Sequence, residues 1–310
     1  MRVIVTGAAG FLGGRLAAAL AADPRVASVT GLDRVALPAG PAVAGIVADL
    51  ADFGRAAPAA DLVLHAAALT SQACEADPEA AHSVNIDGTR AVLRWARAQP
   101  RPPRVVYLSS VAVFGGGDAV ATEATPPAPR STYGTTKLVA EALLQDATRR
   151  GEVEAVVLRL PVTIVRTAAR VGPPGAGFVS DLIDAALRGR PFVAPLAPDH
   201  AVPVASLRAV TAMVLRAALA EVPARLLHVP SLAASARGTL VALSACGVAD
   251  PGIDYSPDSA VAGLVAGWPG RLGTQHPAFS SDIVDTGADA GLEAIIRAHR
   301  AVLEGGGAAR

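Results

Sequence analysis

Short apolar runs alternating with stretches of helical periodicity, and a first apolar run that passes directly into spaced glycines, predict an α/β fold. The expected architecture is a doubly wound parallel sheet of Rossmann type with a smaller C-terminal substrate lobe. A chain of 310 residues, 52% of them hydrophobic, is long enough to fill such a core.

The elements follow in order. Val3-Ile4-Val5-Thr6 has the continuous apolar character of a buried parallel strand, and it runs into Gly7-Ala8-Ala9-Gly10-Phe11-Leu12-Gly13. Leu16, Ala17, Leu20 and Ala21 then keep helical spacing. A strand, a glycine turn and a helix in succession point to dinucleotide binding. Gly7 permits the tight turn, Gly10 lets backbone approach a pyrophosphate, and Gly13 lets helix pack closely on strand. The helix N-terminus, with Phe11 and Leu12, then faces the phosphates.

Val29-Thr30-Gly31-Leu32-Asp33 reads as a second strand ending in an acid. A carboxylate there accepts both ribose hydroxyls of NAD and repels a 2′-phosphate, which favours NAD over NADP. Arg34 weighs the other way, because an arginine at that point can pair with the extra phosphate. The plainer alternative for Asp33 is a cap on the turn after the strand. A third run, Val43 to Val47, leads to Ala48-Asp49-Leu50 and sets Asp49, with Leu50 beside it, for the adenine amino group. Leu62-Val63-Leu64-His65-Ala66-Ala67 is a fourth strand finishing in small residues, so Ala66 can lie close to cofactor. His65, with no second histidine or carboxylate near it in sequence, reads as a packed strand-end histidine.

Arg104 to Ser110 is a fifth strand, ending in two hydroxyls. Neither serine sits in G-x-S-x-G, which argues for acid-base chemistry over serine hydrolysis. Tyr133-Gly134-Thr135-Thr136-Lys137 supplies a phenol and an ammonium on one helix face. Lys137 is the only lysine among 27 basic residues, so a site that could use any cation would carry arginine. A cation against a phenol lowers its pKa, which makes the pair a proton-transfer device with the serine holding the substrate oxygen. The plain alternative is a surface lysine left by a drift toward arginine. Ala155 to Leu160 is a sixth strand, closed by Pro161.

Lys+Arg and Asp+Glu are both 27, and no basic run suggests nucleic acid. Small molecules are the expected partners. Cys74 and Cys246 lack metal or redox spacing, the histidines form no i, i+4 pair, and no metal is expected. Gly7, Gly10, Gly13 and Arg15 interrupt any leader-like run, and no span approaches membrane length; a cytoplasmic protein is expected. The division expected is 1–166 for the cofactor domain with the strand-end serine pair, Tyr133 and Lys137, and 167–310 mostly for the substrate lobe, with segments returning to the sheet. That lobe includes amphipathic helices at Val179 to Leu187 and Leu207 to Leu219, the latter with Ser206 as N-cap. The spans Ala73 to Gln99 and Thr132 to Arg149 are the expected helices beside the catalytic strand.

Taken together, these segments resemble the extended short-chain dehydrogenase/reductase family, the NAD-dependent epimerase/dehydratase family. The likeness covers the glycine turn at Thr6 to Gly13, Asp33, Asp49-Leu50, His65-Ala66-Ala67, Asn85-Ile86-Asp87-Gly88-Thr89, Ser109 to Gly115, and Tyr133 with Lys137. It implies Ser110 as the catalytic serine, and Pro161 and Thr163 as neighbours of the nicotinamide carboxamide. It also implies a possible homodimer through the two helices, for which Ala91, Leu93, Trp95, Leu138, Ala142 and Leu143 supply apolar surface.

Within the family, Ser110 to Gly116, Ser131 to Thr135, Leu158 to Pro161 with Ile164-Val165-Arg166, and Trp268-Pro269-Gly270-Arg271 resemble the D-erythronate dehydrogenases. This implies oxidation of a secondary hydroxyl, at C2, of a small sugar acid, with Ser71 at the substrate loop. Arg166 and Arg271 are the cations considered for its carboxylate. The chain departs from that group around Thr167 to Arg170 and at His200, where an arginine is usual. The alternative is a nucleotide-sugar epimerase using the same trio. A dehydratase is disfavoured by Val111 and Ala112, which stand where an acid-base pair is needed.

Overall fold

Seven strands form the main sheet of this computed structural model, which describes residues 1–38, 42–165, 175–280, 282–283 and 291–305. They are β1 (Arg2–Thr6), β2 (Ser28–Asp33), β3 (Ala44–Val47), β4 (Leu62–His65), β5 (Arg104–Ser110), Glu154–Leu160 and Leu226–His228. Across the sheet the order is Leu226–His228, Glu154–Leu160, β5, β4, β1, β2, β3. The pairs from Glu154–Leu160 to β3 are parallel. The order turns back between β1 and β4, the point at which doubly wound sheets bind ligands beyond their strand C-termini.

The register brings the functional strand ends to one edge. Thr6 pairs with His65, His65 with Tyr107, Asp33 with Val47, and Ser110 with Leu160. Leu62, Val63, Leu64, Val105, Val106, Val156 and Val157 are buried on both faces, as apolar runs in a covered parallel sheet must be. β3 is the exception: it lies at the sheet edge and Val47 is 63% exposed.

The chain clusters into two units. One comprises Met1–Val113, Pro127–Leu160 and Thr211–Leu227; the other comprises Phe114–Pro126, Pro161–Val210 and His228–Arg310. In the second unit, Val162–Ile164 pairs in parallel with Val202–Ser206, which pairs antiparallel with Leu232–Ala234. Phe178, Leu182, Ile183, Val204, Leu243 and Ile296 belong to its core. Of the two helices expected in the substrate lobe, Phe178–Leu187 belongs to this unit, whereas Leu207–Leu219, N-capped by the Ser206 hydroxyl accepting from the Ala209 amide at 3.0 Å, belongs from Thr211 onward to the first unit.

Beside β5, the helix Thr132–Arg149 has the expected bounds, with the Ser131 hydroxyl accepting from the Gly134 amide as its cap. The span 73–99 does not form one helix. Asp77 and Pro78 break it into Ser71–Ala76 and Pro78–Ala81, a π-helical turn follows at His82–Asp87, and Gly88–Arg97 completes it. Of the apolar residues expected as partner surface, Ala91, Leu93 and Trp95 are buried within the chain, with the Trp95 ring edge-on to Phe53 at 5.5 Å, whereas Leu138 and Leu143 are half-buried and Ala142 is exposed. Among the described residues, no helix is long and apolar enough to cross a membrane.

Candidate active site

The glycine turn is built for close backbone approach. Gly7 has φ +69°, a left-handed conformation, and a Cβ there would stand 2.8 Å from the Ala67 backbone at the end of β4. A Cβ on Gly13 would stand 2.0 Å from the Gly7 carbonyl oxygen, so the first helix, Phe11–Ala21, can sit on the turn only with glycine at that position. Gly10, its N-cap, offers no side-chain acceptor, and no acid occupies the first turn. The helix therefore begins with its amides uncapped and its positive end bare, with exposed Gly10 and half-buried Phe11 and Leu12 at the rim. This cradle fits a dinucleotide pyrophosphate.

Asp33 ends β2 beside that turn. Its Oδ2 accepts from the Ala9 amide at 3.0 Å and its Oδ1 from the Val35 amide at 3.3 Å, so it both caps its own turn and steadies the glycine loop. Arg34 is exposed. Asp49 caps the turn after β3, accepting from the Ala51 amide at 2.9 Å, and Leu50 is buried beneath it against Gly88. Ala66, half-buried, donates its amide to Thr6 Oγ1 at 3.2 Å.

His65 is a packed core residue, as its sequence setting suggests. Thr6 Oγ1 already accepts from the Ala66 and Ala67 amides, so its own proton goes to His65 Nδ1 at 2.8 Å. Thr89 gives its hydroxyl proton to the Asn85 carbonyl at 2.7 Å and so accepts from His65 Nε2 at 3.2 Å. This assigns the Nε2–H tautomer from the network. Burial, helped by the Lys137 charge, pushes the His65 pKa down to about 3. Neutral imidazole is the form the core holds.

Ser110, Tyr133 and Lys137 converge at the end of β5. Lys137 is 2% exposed; its Nζ donates to the Leu108 carbonyl at 2.7 Å, 4.6 Å from the Tyr107 ring centroid and 5.6 Å from that of Tyr133. Burial pushes the Lys137 pKa down to about 8. Burial pushes Tyr133 up to about 12, although the residue keeps part of its surface open, and a hydrogen bond with Ser110 pulls the other way. The expected lysine-lowered phenol is not what dominates here: Lys137 lies nearer the Tyr107 ring, and burial outweighs the Ser110 hydrogen bond. The Ser110 hydroxyl also accepts from the Ala112 amide at 3.1 Å. Val111 and Ala112 are buried apolar residues and offer no acid-base pair.

Sequence reasoning passed over the supports of this trio. Asn85, on the π-helical turn, accepts from the Leu69 amide at 2.8 Å and donates to Thr136 Oγ1 at 3.0 Å; Thr136 donates to the Tyr133 carbonyl at 2.9 Å. A Cβ on Gly134 would stand 2.0 Å from the Ala112 carbonyl oxygen, so the helix begins in contact with the turn that follows Ser110. The signal was present as the Tyr-Gly pair and as Asn85, but no spacing rule joins them. Of the substrate candidates, Ser71 opens the helix Ser71–Ala76 in the same unit as the trio. Pro161, Thr163 and Arg271 belong to the second unit, with Thr163 in Val162–Ile164 and Arg271 exposed, and Arg166 lies outside the described residues.

The model of the NAD dependent epimerase/dehydratase family matches residues 3–197, which hold the glycine cradle and the trio. The chain belongs to this family. Like other members of the NAD dependent epimerase/dehydratase family it is an NAD-dependent enzyme. A D-erythronate dehydrogenase from Cupriavidus necator is 34% identical over 96% of this chain and 98% of its own length. A second, from Haemophilus influenzae, is 30% identical over 88% and 91%. Among solved structures, a nucleoside-diphosphate-sugar epimerase from Agrobacterium tumefaciens matches with a TM-score of 0.84 at 27% identity, over 99% of this chain and 95% of that one.

Proposed function

We propose that this family member is a dehydrogenase that oxidises a secondary hydroxyl, at C2, of a small sugar acid such as D-erythronate. The convergence of Ser110, Tyr133 and Lys137 carries the reaction type, and the full-length likeness to two D-erythronate dehydrogenases supports the substrate. NAD, when bound, supplies the hydride acceptor. Gly7, Gly10 and Gly13 with Phe11 and Leu12 cradle its pyrophosphate, Asp33 takes the ribose hydroxyls, and Asp49, Leu50, Ala66, Pro161 and Thr163 line the rest. Ser110 holds the alcohol oxygen by its hydroxyl while the Tyr133 phenolate removes the proton. Lys137 stabilises that phenolate by its charge and holds the cofactor ribose. A phenol whose proton is tightly held makes a strong base once that proton has left, which suits removal of an alcohol proton. Ser71, Arg166 and Arg271 are the proposed substrate contacts, within a substrate lobe formed mostly by residues after 166.

A nucleotide-sugar epimerase is the second reading, favoured by the likeness to the Agrobacterium protein. The deciding experiment supplies NAD and NADP separately with D-erythronate, L-threonate and related acids, and in parallel tests UDP-sugars for interconversion. Reduction of NAD by one four-carbon acid is expected. Silence with all acids and interconversion of a UDP-sugar would transfer the assignment to epimerase. We further propose a cytoplasmic enzyme acting as a homodimer, whose mass in solution light scattering reads directly.

A further inference from the structure

Behind the trio lies a buried charged cluster that the proposed reaction does not itself use. Glu141 stands four residues after Lys137 on the same helix, one turn on and on the same face. It is 1% exposed, and its carboxylate is gripped by Arg159, itself 3% exposed, with Arg159 Nη2 at 2.7 Å from Oε2 and Nε at 3.0 Å from Oε1. The Ser109 hydroxyl, buried beside Ser110, donates to Glu141 Oε1. One carboxylate thus ties the catalytic helix to the two adjacent strands, β5 and Glu154–Leu160.

We propose that Glu141 is a positioning residue: held as a carboxylate by Arg159 and Ser109, it is the buried counter-charge that keeps Lys137 protonated. The proposal rests on reading Lys137 as a working residue of the dehydrogenase. Lys137 faces Tyr107 from β5, His65 from β4, Cys74 from the helix Ser71–Ala76, and Tyr133 and Glu141 from its own helix. Burial raises the Tyr107 and Tyr133 phenols and the Cys74 thiol and lowers His65, so all four are neutral near neutral pH. Two groups raise the Lys137 pKa against the effect of burial, Cys74 first and Glu141 after it; with burial holding the Cys74 thiol protonated, Glu141 is the standing negative charge in this set. Without it, an ammonium in this desolvated position would release its proton within the working pH range.

The single lysine makes the test direct, since protein grown with lysine isotopically labelled at Cε gives one lysine resonance. In the native chain that resonance should titrate near about 8. In Glu141→Gln the midpoint should fall by about one pH unit or more, because a countercharge within a helical turn is removed. Glu141→Gln leaves the Arg159 charge buried without its partner and can compromise folding. The double variant Glu141→Met with Arg159→Met removes both charges and keeps the volume apolar, and its midpoint should fall as well. A midpoint that stays in place in either folded variant overturns the proposal. The titration uses neither cofactor nor substrate. A shifted midpoint with no sugar-acid activity would therefore fault the functional reading alone, and full activity with an unshifted midpoint would fault the role of Glu141 alone.

Discussion

Lys137 and Tyr133 have their pKa values pushed in opposite directions by one cause, burial, and both shifts favour the uncharged side chain. Catalysis in the oxidative direction needs the charged pair, so the site must recover that cost from the charges around it. Tyr133→Phe removes the proton acceptor and leaves the glycine cradle untouched. Turnover should fall by about a hundredfold or more while NADH affinity, read by fluorescence titration, stays nearly unchanged. His65 gives a second, independent expectation. Its folded pKa of about 3 lies below the ordinary 6.5, so between these values the unfolded chain binds the proton that the folded chain refuses. Stability from this residue is complete above pH 6.5 and is lost as pH falls toward 3, at no more than about 1.4 kcal/mol per pH unit. Urea unfolding across that window should show the slope in the native chain and its reduction in His65→Asn.

Among the elements, the junction between β5 and the helix Thr132–Arg149 sets the position of the trio. Gly134→Ala places a methyl 2.0 Å from the Ala112 carbonyl oxygen and 3.0 Å from Pro129 Cβ. The helix must then move away from the turn carrying Ser110. A loss of about 1–3 kcal/mol in denaturant unfolding is expected, with a fall in turnover larger than the fall in NADH affinity. Legibility divides along the same line. The glycine turn and the Tyr-Lys pair were readable because each is a contiguous pattern whose function depends on local geometry. Glu141 with Arg159, and Asn85 with Thr136, were not, because their partners are far apart in sequence and meet only when the sheet and helices assemble. The span 73–99 was misread as one helix because its apolar content masks Asp77-Pro78 and the π-helical turn. The apolar run Val43 to Val47 was legible as a strand, but its place as the edge strand β3, with Val47 exposed, is set by the sheet order and not by the run itself.

At the scale of the whole molecule, the two units are interleaved along the chain, each assembled from three separate segments. The first unit is complete only with Thr211–Leu227, which brings most of the seventh strand and the carbonyls of Ala218 and Ala220 that Arg104 Nη1 binds at 3.4 and 2.6 Å. Arg225 from the same segment pairs with Glu154, which also pairs with Arg104. A fragment of residues 1–166 should therefore show a lower denaturation midpoint than the intact chain by circular dichroism, even though it holds Ser110, Tyr133 and Lys137. The same interleaving sets a timetable at the ribosome. Ser110, Tyr133 and Lys137 have all emerged once residue 137 is clear of the exit tunnel, but the sheet beneath them cannot close until some ninety further residues have been translated. For that interval the nascent chain carries Ser110, Tyr133 and Lys137 on an unfinished support.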